Sequence, residues 1–286
     1  MKYPLFFNNT AKSARANKFR SWFAKNTDHF DLIEPSSADD MKTRLQAQAA
    51  QNTPIVAVAG GDGTLGIAAQ ALANTNTALA VFPAGTANVF SLEMGFKSGF
   101  DFAWQVLKQG KTQNIDLFAI NGKPFLQMAG IGLDARAVEL TTWELKKKWG
   151  PLSYVFSAVK AMKEPLPHLT LTTDSGETIS ARSILLGNGA KYGGNFPLFG
   201  DACNTDGQLD IVAFTNPLSS ILLECSKALV SRGFHINANN ANFRYLRCSA
   251  ATISCDSPIP CEMDGDHATY TPITITKFGH LKVLVP

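Results

Sequence analysis

The chain has 286 residues, enough for two domains or one large domain with a real core. Hydrophobic residues make up 45% and charged residues 17%; the charged share lies below the roughly 25% of ordinary chains, which excludes disorder and a highly charged nucleic-acid binder. The net charge of +3 is too mild to demand a polyanionic partner.

No apolar run reaches the roughly 18 residues of a membrane span, and stretches such as residues 221–223 are interrupted within a few positions. The N-terminal MKYPLFFNNT has no long apolar stretch before a small-residue cleavage site, so no signal peptide is expected. The five cysteines (Cys203, Cys225, Cys248, Cys255 and Cys261) form no C-x-x-C pair and fit free thiols in a reducing compartment. Cys255, Cys261 and His267 match no usual zinc spacing and read as ordinary strand residues. The expected location is cytoplasmic.

In chain order, Tyr3–Phe7 reads as a strand and residues 11–25 as a helix, followed by a strand at 29–33. Residues 37–50 are helix formers behind a serine suited to the N-cap. PIVAVAG, residues 54–60, is a continuous apolar run ending in glycine, the mark of a strand buried on both faces of a parallel sheet. A helix at about 64–74, the strand ALAVF and a further loop and helix complete an α/β alternation with right-handed crossovers. Beyond residue 112 strands dominate, at 111–120, 125–129, 169–173, 178–186, 208–214 and most of 243–285. Asp174-Ser175-Gly176 signals a hairpin, and helical patterns remain at 133–142, 151–163 and 218–232. The fold class is therefore α/β followed by mainly antiparallel β.

Two glycine loops carry the sharpest chemical signal. Gly60-Gly61-Asp62-Gly63-Thr64 ends one apolar strand and opens a helix, and Pro83-Ala84-Gly85-Thr86-Ala87-Asn88 does the same after the next. Glycines let backbone N–H groups approach phosphate oxygens, and a helix N-terminus adds partial positive charge. Thr64 and Thr86 can cap the helices and donate hydroxyls, while Asp62 can hold Mg²⁺ or act as a base. Three readings compete. Ordinary turn chemistry would explain one such loop better than two. Gly61-x-Gly63-x-x-Gly66 satisfies the dinucleotide pattern, but residues 78–92 hold no Asp or Glu for the ribose and the loop follows the third strand. The third reading is a nucleoside-triphosphate cradle without a Walker A motif.

GGDGT followed by P-x-G-T-x-N resembles the diacylglycerol kinase catalytic domain family, which includes bacterial lipid kinases and sphingosine kinases, with NAD kinases as distant relatives. The resemblance runs through nearly the whole chain. Asn8 matches the family's early Asn-Pro loop, with Asn9 in place of Pro. Residues 114–116 match its I-D-x segment, and Gly130-Ile131-Gly132-Leu133-Asp134-Ala135 its G-x-G-x-D-A stretch. Asn188-Gly189 through Gly193-Gly194 matches a later glycine-containing strand end. Residues 201–210 match its D-A-x-x-x-D-G-x-L-D loop, with Gly200 where the family has Pro. Asp264-Gly265-Asp266 matches its D-G-E, with Asp in place of Glu.

The resemblance implies an N-terminal α/β nucleotide-binding domain with a parallel sheet, residues 1–112, to which 276–286 return. It implies a β-rich acceptor domain over 113–275, with the active site in the cleft between. Gly60, Gly61, Asp62, Gly63, Thr64, Gly85 and Thr86 are expected to bind ATP, with Asn8 and Ser36 nearby. Asp206, with the carbonyls of Cys203 and Gln208, is expected to hold Mg²⁺. Asp266 is the expected base, with Asp116 as partner and Asp62 as the alternative. Asp is one methylene shorter than Glu, and misplacement by about 1 Å slows catalysis. Two tryptophans flank three lysines at 143–149, which suits either a core Trp with a solvated Lys face or peripheral contact with an anionic membrane. The implied function is ATP- and Mg²⁺-dependent phosphorylation of a lipid hydroxyl, on diacylglycerol or a related lipid, with no nucleic-acid partner. The rival readings are a kinase of a soluble acceptor such as NAD and a catalytically weak nucleotide- or lipid-binding protein. The sequence leaves the oligomeric state open.

Overall fold

A computed structural model of the chain describes residues 2–8, 11, 13–97, 99–140, 167–216 and 218–286. The helix expected at 151–163 and the Trp-Lys segment at 143–149 lie outside these residues. Two compact units emerge, Met1–Leu117 with Gly279–Pro286, and Phe118–Phe278.

In the first unit, strands β1 (Tyr3–Phe7), β2 (Phe30–Ile33), β3 (Ile55–Gly60) and β4 (Ala78–Pro83) pair in parallel in the order β2-β1-β3-β4. The apolar runs of β3 and β4 are buried because helices cover both faces of such a sheet. Five helices accompany them: α1 (Ala14–Phe23), α2 (Ala38–Ala50), α3 (Asp62–Leu72), α4 (Val89–Glu93) and α5 (Phe100–Gln109). Ser13 and Ser37 cap α1 and α2, accepting from the amides of Ala16 and Asp40. An aromatic cluster joins α1 and α5 to the sheet, with Phe19 4.8 Å from Phe7 and 5.2 Å from Phe100, and Trp22 5.3 Å from Phe82. Such pairs contribute about 0.5–1.5 kcal/mol each beyond burial. The chain's last residues come back here. Val283 on β18 (Ile273–Leu284) pairs with Leu79, and Asn74 exchanges two hydrogen bonds of 2.9 and 3.0 Å with the backbone of His280.

The second unit is a β-sandwich. One sheet is antiparallel in the order β14 (Phe243–Cys248), β13 (Leu209–Phe214), β10 (Ser183–Gly187), β7 (Met128–Ile131), β16 (Pro260–Met263) and β17 (Asp266–Tyr270). Facing it are β8 (Leu169–Thr173), β9 (Thr178–Ala181), β15 (Ala250–Ser254), the first half of β18, the end of β5 (Thr112–Ile120) and β6 (Lys123–Phe125). The core between them is built from alternate residues, such as Leu209, Ile211 and Ala213 on β13 and Ile253, Ile273 and Ile275 opposite. On its other face the first sheet carries a second cluster. Val212, Phe214 and Tyr245 pack there with Phe199 and with Ile221 of helix α7 (Leu218–Ser231). Helix α6 (Leu133–Leu140) follows β7, and the short pair β11 (Lys191–Tyr192) and β12 (Phe196–Pro197) follows β10.

Two expected strands are broken, each for a local reason. Residues 125–129 do not run straight, because the N–H groups of Leu126, Gln127 and Met128 turn to the carboxylate of Asp264, at 2.7, 2.8 and 3.2 Å. The run 178–186 breaks at Arg182, where the chain leaves its pairing with β8 and enters pairing with β13 and β7. The hairpin at Asp174-Ser175-Gly176 forms, with Gly176 at φ 85° and its N–H 3.0 Å from Thr173 O.

Removing the acceptor breaks all three of these bonds. Asp264→Ala is expected to cost about 3–5 kcal/mol in urea unfolding. Asp264→Asn, which tolerates the same left-handed backbone and keeps one acceptor oxygen, is expected to cost less.

Candidate functional site

The parallel register of β3 and β4 sets Gly60 beside Pro83, and Ala84 N–H donates to Gly60 O at 2.9 Å. The two glycine loops therefore meet backbone to backbone. A Cβ on Gly85 would lie 2.3 Å from Gly61 Cα, and one on Gly60 would lie 2.5 Å from Thr64 Cβ. Asn88 locks the second loop: its amide accepts from Gly85 N–H and donates to Gly85 O, both at 2.9 Å, while its own φ is 52°. Asp62 joins the first loop to the second by accepting from Phe90 N–H at 3.1 Å. Burial pushes its carboxyl above the usual range, and the amides of α4 act against that.

The threonines do not cap the helices. Helix α3 starts at Asp62, so Thr64 already lies within its first turn, pressed against Gly60, and Gly61 is the N-cap with no capping side chain. Thr86 stands before Asn88, which holds the N-cap position of α4. The leading amides of α3 thus have no side-chain cap, which suits an anion. Gly63 is exposed and Thr64 half-buried.

Two serines divide differently from the sequence expectation. Ser36 donates its hydroxyl to Asp40 at 3.1 Å, on the first turn of α2. Ser13 instead reaches the second glycine loop, donating to Ala84 O at 3.0 Å while capping α1. The sequence pattern places Ser13 inside a helix at 11–25, whereas α1 begins only at Ala14. Asn8 is exposed at the end of β1, where its carbonyl accepts from Ala11 N–H. Asp116 is half-buried on β5.

In the second unit, the loop over residues 201–210 is rich in carboxylates. Asp206 accepts from Gln208 N–H at 2.9 Å and contacts the Arg247 guanidinium. Arg247 Nε is also 3.2 Å from buried Asp210, which accepts from Tyr245 OH at 2.7 Å. Burial raises the Asp210 carboxyl to about 6 despite these two partners. Asp201 bonds His235 at 3.0 Å, and the ring of His235 fills the space a side chain at 200 would need, which accounts for Gly200. Cys203 is exposed, with its Sγ 3.3 Å from Thr205 Oγ1. One carboxylate and two carbonyls are hard oxygen donors of the kind Mg²⁺ takes, so the residues fit that ion. Arg247 competes with it for Asp206.

The β16–β17 hairpin carries Asp264 and Gly265 at its two-residue turn, with φ 52° and 89°. Asp264 is spent on backbone amides. Asp266 opens β17 opposite Met263 and is exposed.

Two family models match the chain, the diacylglycerol kinase catalytic domain over residues 2–120 and the YegS C-terminal NAD kinase beta sandwich-like domain over 127–285. A diacylglycerol kinase of Mycobacterium tuberculosis is 30% identical over 271 residues, covering 90% of this chain and 85% of that protein. A Synechocystis protein is 29% identical over 225 residues, 77% of this chain, and the match spans about half, 52%, of its length. The crystal structure of a diacylglycerol kinase from Bacillus anthracis shares the fold, with a TM-score of 0.75 at 20% identity, covering 100% of this chain and 97% of that one. The chain belongs to the diacylglycerol kinase catalytic domain family, phosphotransferases that act on an alcohol group.

Ser13→Ala removes both the α1 cap and the tie to Ala84. It is expected to lower stability by about 1–2 kcal/mol in urea unfolding, with faster amide exchange at Ala16.

Proposed function

We propose that this family member transfers the γ-phosphate of ATP to the hydroxyl of diacylglycerol or a related lipid. The observation that carries the reading is the pair of interlocked glycine loops at the heads of adjacent parallel strands, beside an α3 N-terminus without a capping side chain. Gly60, Gly61, Gly63, Thr64, Gly85 and Thr86 bind the phosphates through backbone amides and hydroxyls. Asn88 and Ser13 hold the second loop in register, and Asn8 borders the nucleotide. The hydrogen bonds of Ser36 go to α2, so Ser13 takes the place that Ser36 has in the sequence reading.

Asp62 braces the two loops through Phe90 and, with Asp116, would hold Mg²⁺. Mg²⁺ there would neutralise charge on the transferred phosphoryl group. Asp206, with the carbonyls of Cys203 and Gln208, would hold a second ion that fixes the 201–210 loop. Asp266 accepts the proton of the lipid hydroxyl, in a role that geometry leaves open to it because Asp264 is engaged by amides. Lipid access implies peripheral contact with a membrane; no described helix is long and apolar enough to cross one.

The test is ADP release with Mg²⁺·ATP against a panel of lipids in mixed micelles, with NAD and no acceptor as controls. Lipid-dependent turnover is expected, reduced about a hundredfold or more in Asp62→Asn and Asp266→Asn. Turnover on NAD alone would move the protein to soluble acceptors, and ATP binding without turnover would make it a binding protein. Asp266→Glu, which restores the family's longer acid, is expected to keep or raise kcat, read in the same assay. Gly85→Ala, which drives a Cβ into Gly61, is expected to weaken ATP binding at least tenfold by titration calorimetry while the second unit keeps its fold. Millimolar Mg²⁺ is expected to raise the Tm of the wild type and not of Asp206→Asn.

A further inference from the structure

Glu262 lies on β16 between Cys261 and Met263, whose side chains enter the sandwich core, so its own side chain points to the opposite face. It is 1% exposed. Its neighbour across to β7 is Gly130, which has no side chain to offer. A Cβ on Gly130 would fall 2.2 Å from Asp134 Oδ2. The space over β7 beside Glu262 is therefore filled by the carboxyl of Asp134, reaching back from the first turn of α6. The two carboxyls are thus neighbours over β7, and the Tyr192 phenol on β11 lies close to Asp134. Asp134 Oδ2 and Glu262 Oε1 are sealed from solvent and find no donor among the described residues.

Two ionised carboxylates in that position would repel each other, and both would lose their hydration. A single proton removes the problem. One carboxyl then donates to the other, and both orphaned oxygens gain a partner. Tyr192 faces the pair from β11 and Asp264 from the turn, while Cys261 lies next to Glu262 on β16 with its thiol on the core side. Cys225 of α7 faces Tyr192, and His267, the register partner of Glu262 on β17, packs its ring against Tyr270 at 4.9 Å. The other oxygen of Glu262, Oε2, accepts from Gly265 N–H at 2.8 Å. Gly265 is the turn residue directly before Asp266.

We propose that Asp134 and Glu262 share one proton and act as a positioning pair, fixing the Asp264-Gly265 turn and through it the base Asp266. The positioning half rests on the function proposed above; the shared proton does not. Burial and the neighbouring carboxyl raise both groups above the ordinary range. The folded chain thus keeps a proton that the unfolded chain releases above about pH 4. The stabilisation is full below that value and is lost as pH rises through the pair's raised value.

The decisive comparison is urea unfolding against pH for wild type, Glu262→Gln and Asp134→Asn. In either variant an amide N–H replaces the shared proton. Above the ordinary carboxyl range the wild-type folding constant is expected to fall tenfold more per pH unit than that of either variant, the signature of one proton. Equal slopes in all three would overturn the shared proton. Should either variant fail to fold, the wild type decides with Asp62→Asn and Asp210→Asn as controls for the other raised carboxyls: a protonated-carboxyl infrared band that neither control removes is expected above the ordinary carboxyl range, and its absence overturns the idea. For positioning, Glu262→Ala is expected to lower kcat about tenfold or more with the KM for ATP unchanged. Glu262→Gln, which can still accept from Gly265, is expected to restore kcat and to remove the alkaline fall of the pH–rate profile. An unchanged alkaline limb, or a kcat that Gln does not restore, would overturn the positioning role. A chain that phosphorylates no lipid would fail the proposed function while the slopes and the infrared band still judge the pair.

Discussion

The contact between Gly61 and Gly85 is the constraint on which the first unit's chemistry depends. The parallel pairing of β3 and β4 brings two strand ends to the same level, where a side chain at Gly85 would drive into Gly61 and one at Gly61 would crowd Gly85. Because both are glycine, each loop can use the other as its wall. Asp62 then reaches from the first loop to an amide of α4, Asn88 closes the second loop on itself, and Ser13 ties that loop to α1. These bonds fix backbone amides in place before any ligand arrives, and a rigid array of amides is what phosphate binding needs.

The second unit shows one physical rule with three outcomes. Glu224, Asp210 and the pair Asp134–Glu262 all place carboxyl oxygens away from water, and burial alone would raise each of them. Around Glu224 that tendency is outweighed by Lys227 and Asn242, each at 2.9 Å, and its carboxyl stays below the usual range. Asp210 has Tyr245 and Arg247, and settles at about 6. For Asp134 and Glu262 the described neighbours supply a phenol and one backbone amide, so burial prevails and both are raised. At each site the donors act against burial, and the balance between the two sets the direction.

Most of the element order was legible in the sequence, because buried parallel strands read as unbroken apolar runs and sandwich strands as alternation. PIVAVAG and ALAVF became β3 and β4 with nearly the bounds their patterns imply. The breaks were not legible. Nothing in residues 125–129 announces that an aspartate more than a hundred positions later will take three of its amides, and nothing in 178–186 marks Arg182 as the crossing between two sheets. Both depend on contacts distant in sequence. The serine cap of α2 formed as its position implied, whereas the threonine caps failed for a different reason. Thr64 has the composition of a cap, but the helix begins two residues earlier because Gly61 can take the cap position without a side chain. Ser13 was hidden because the helical pattern ran through it, and its bond to Ala84 is made across the fold.

The glycines of G-x-G-x-D-A show how a motif can be a record of neighbours rather than of a ligand. Gly132 has φ 91°, a backbone that side chains rarely adopt, and it turns β7 into α6. Gly130 has no such requirement; it is glycine because Asp134 lies over it. The two glycines thus let one carboxyl, that of Asp134, lie back over the strand that precedes it, next to Glu262. The same economy governs the hairpin opposite. Asp264 and Gly265 adopt the left-handed backbone that a two-residue turn requires, Asp264 gives its carboxylate to three amides, and Gly265 gives its amide to Glu262. With both turn residues held from below, Asp266 leaves the turn in a fixed direction with its carboxylate exposed. That division of labour supports Asp266, rather than Asp264, as the acid that meets the acceptor, and it makes the missing methylene a question of how rigidly the turn is held.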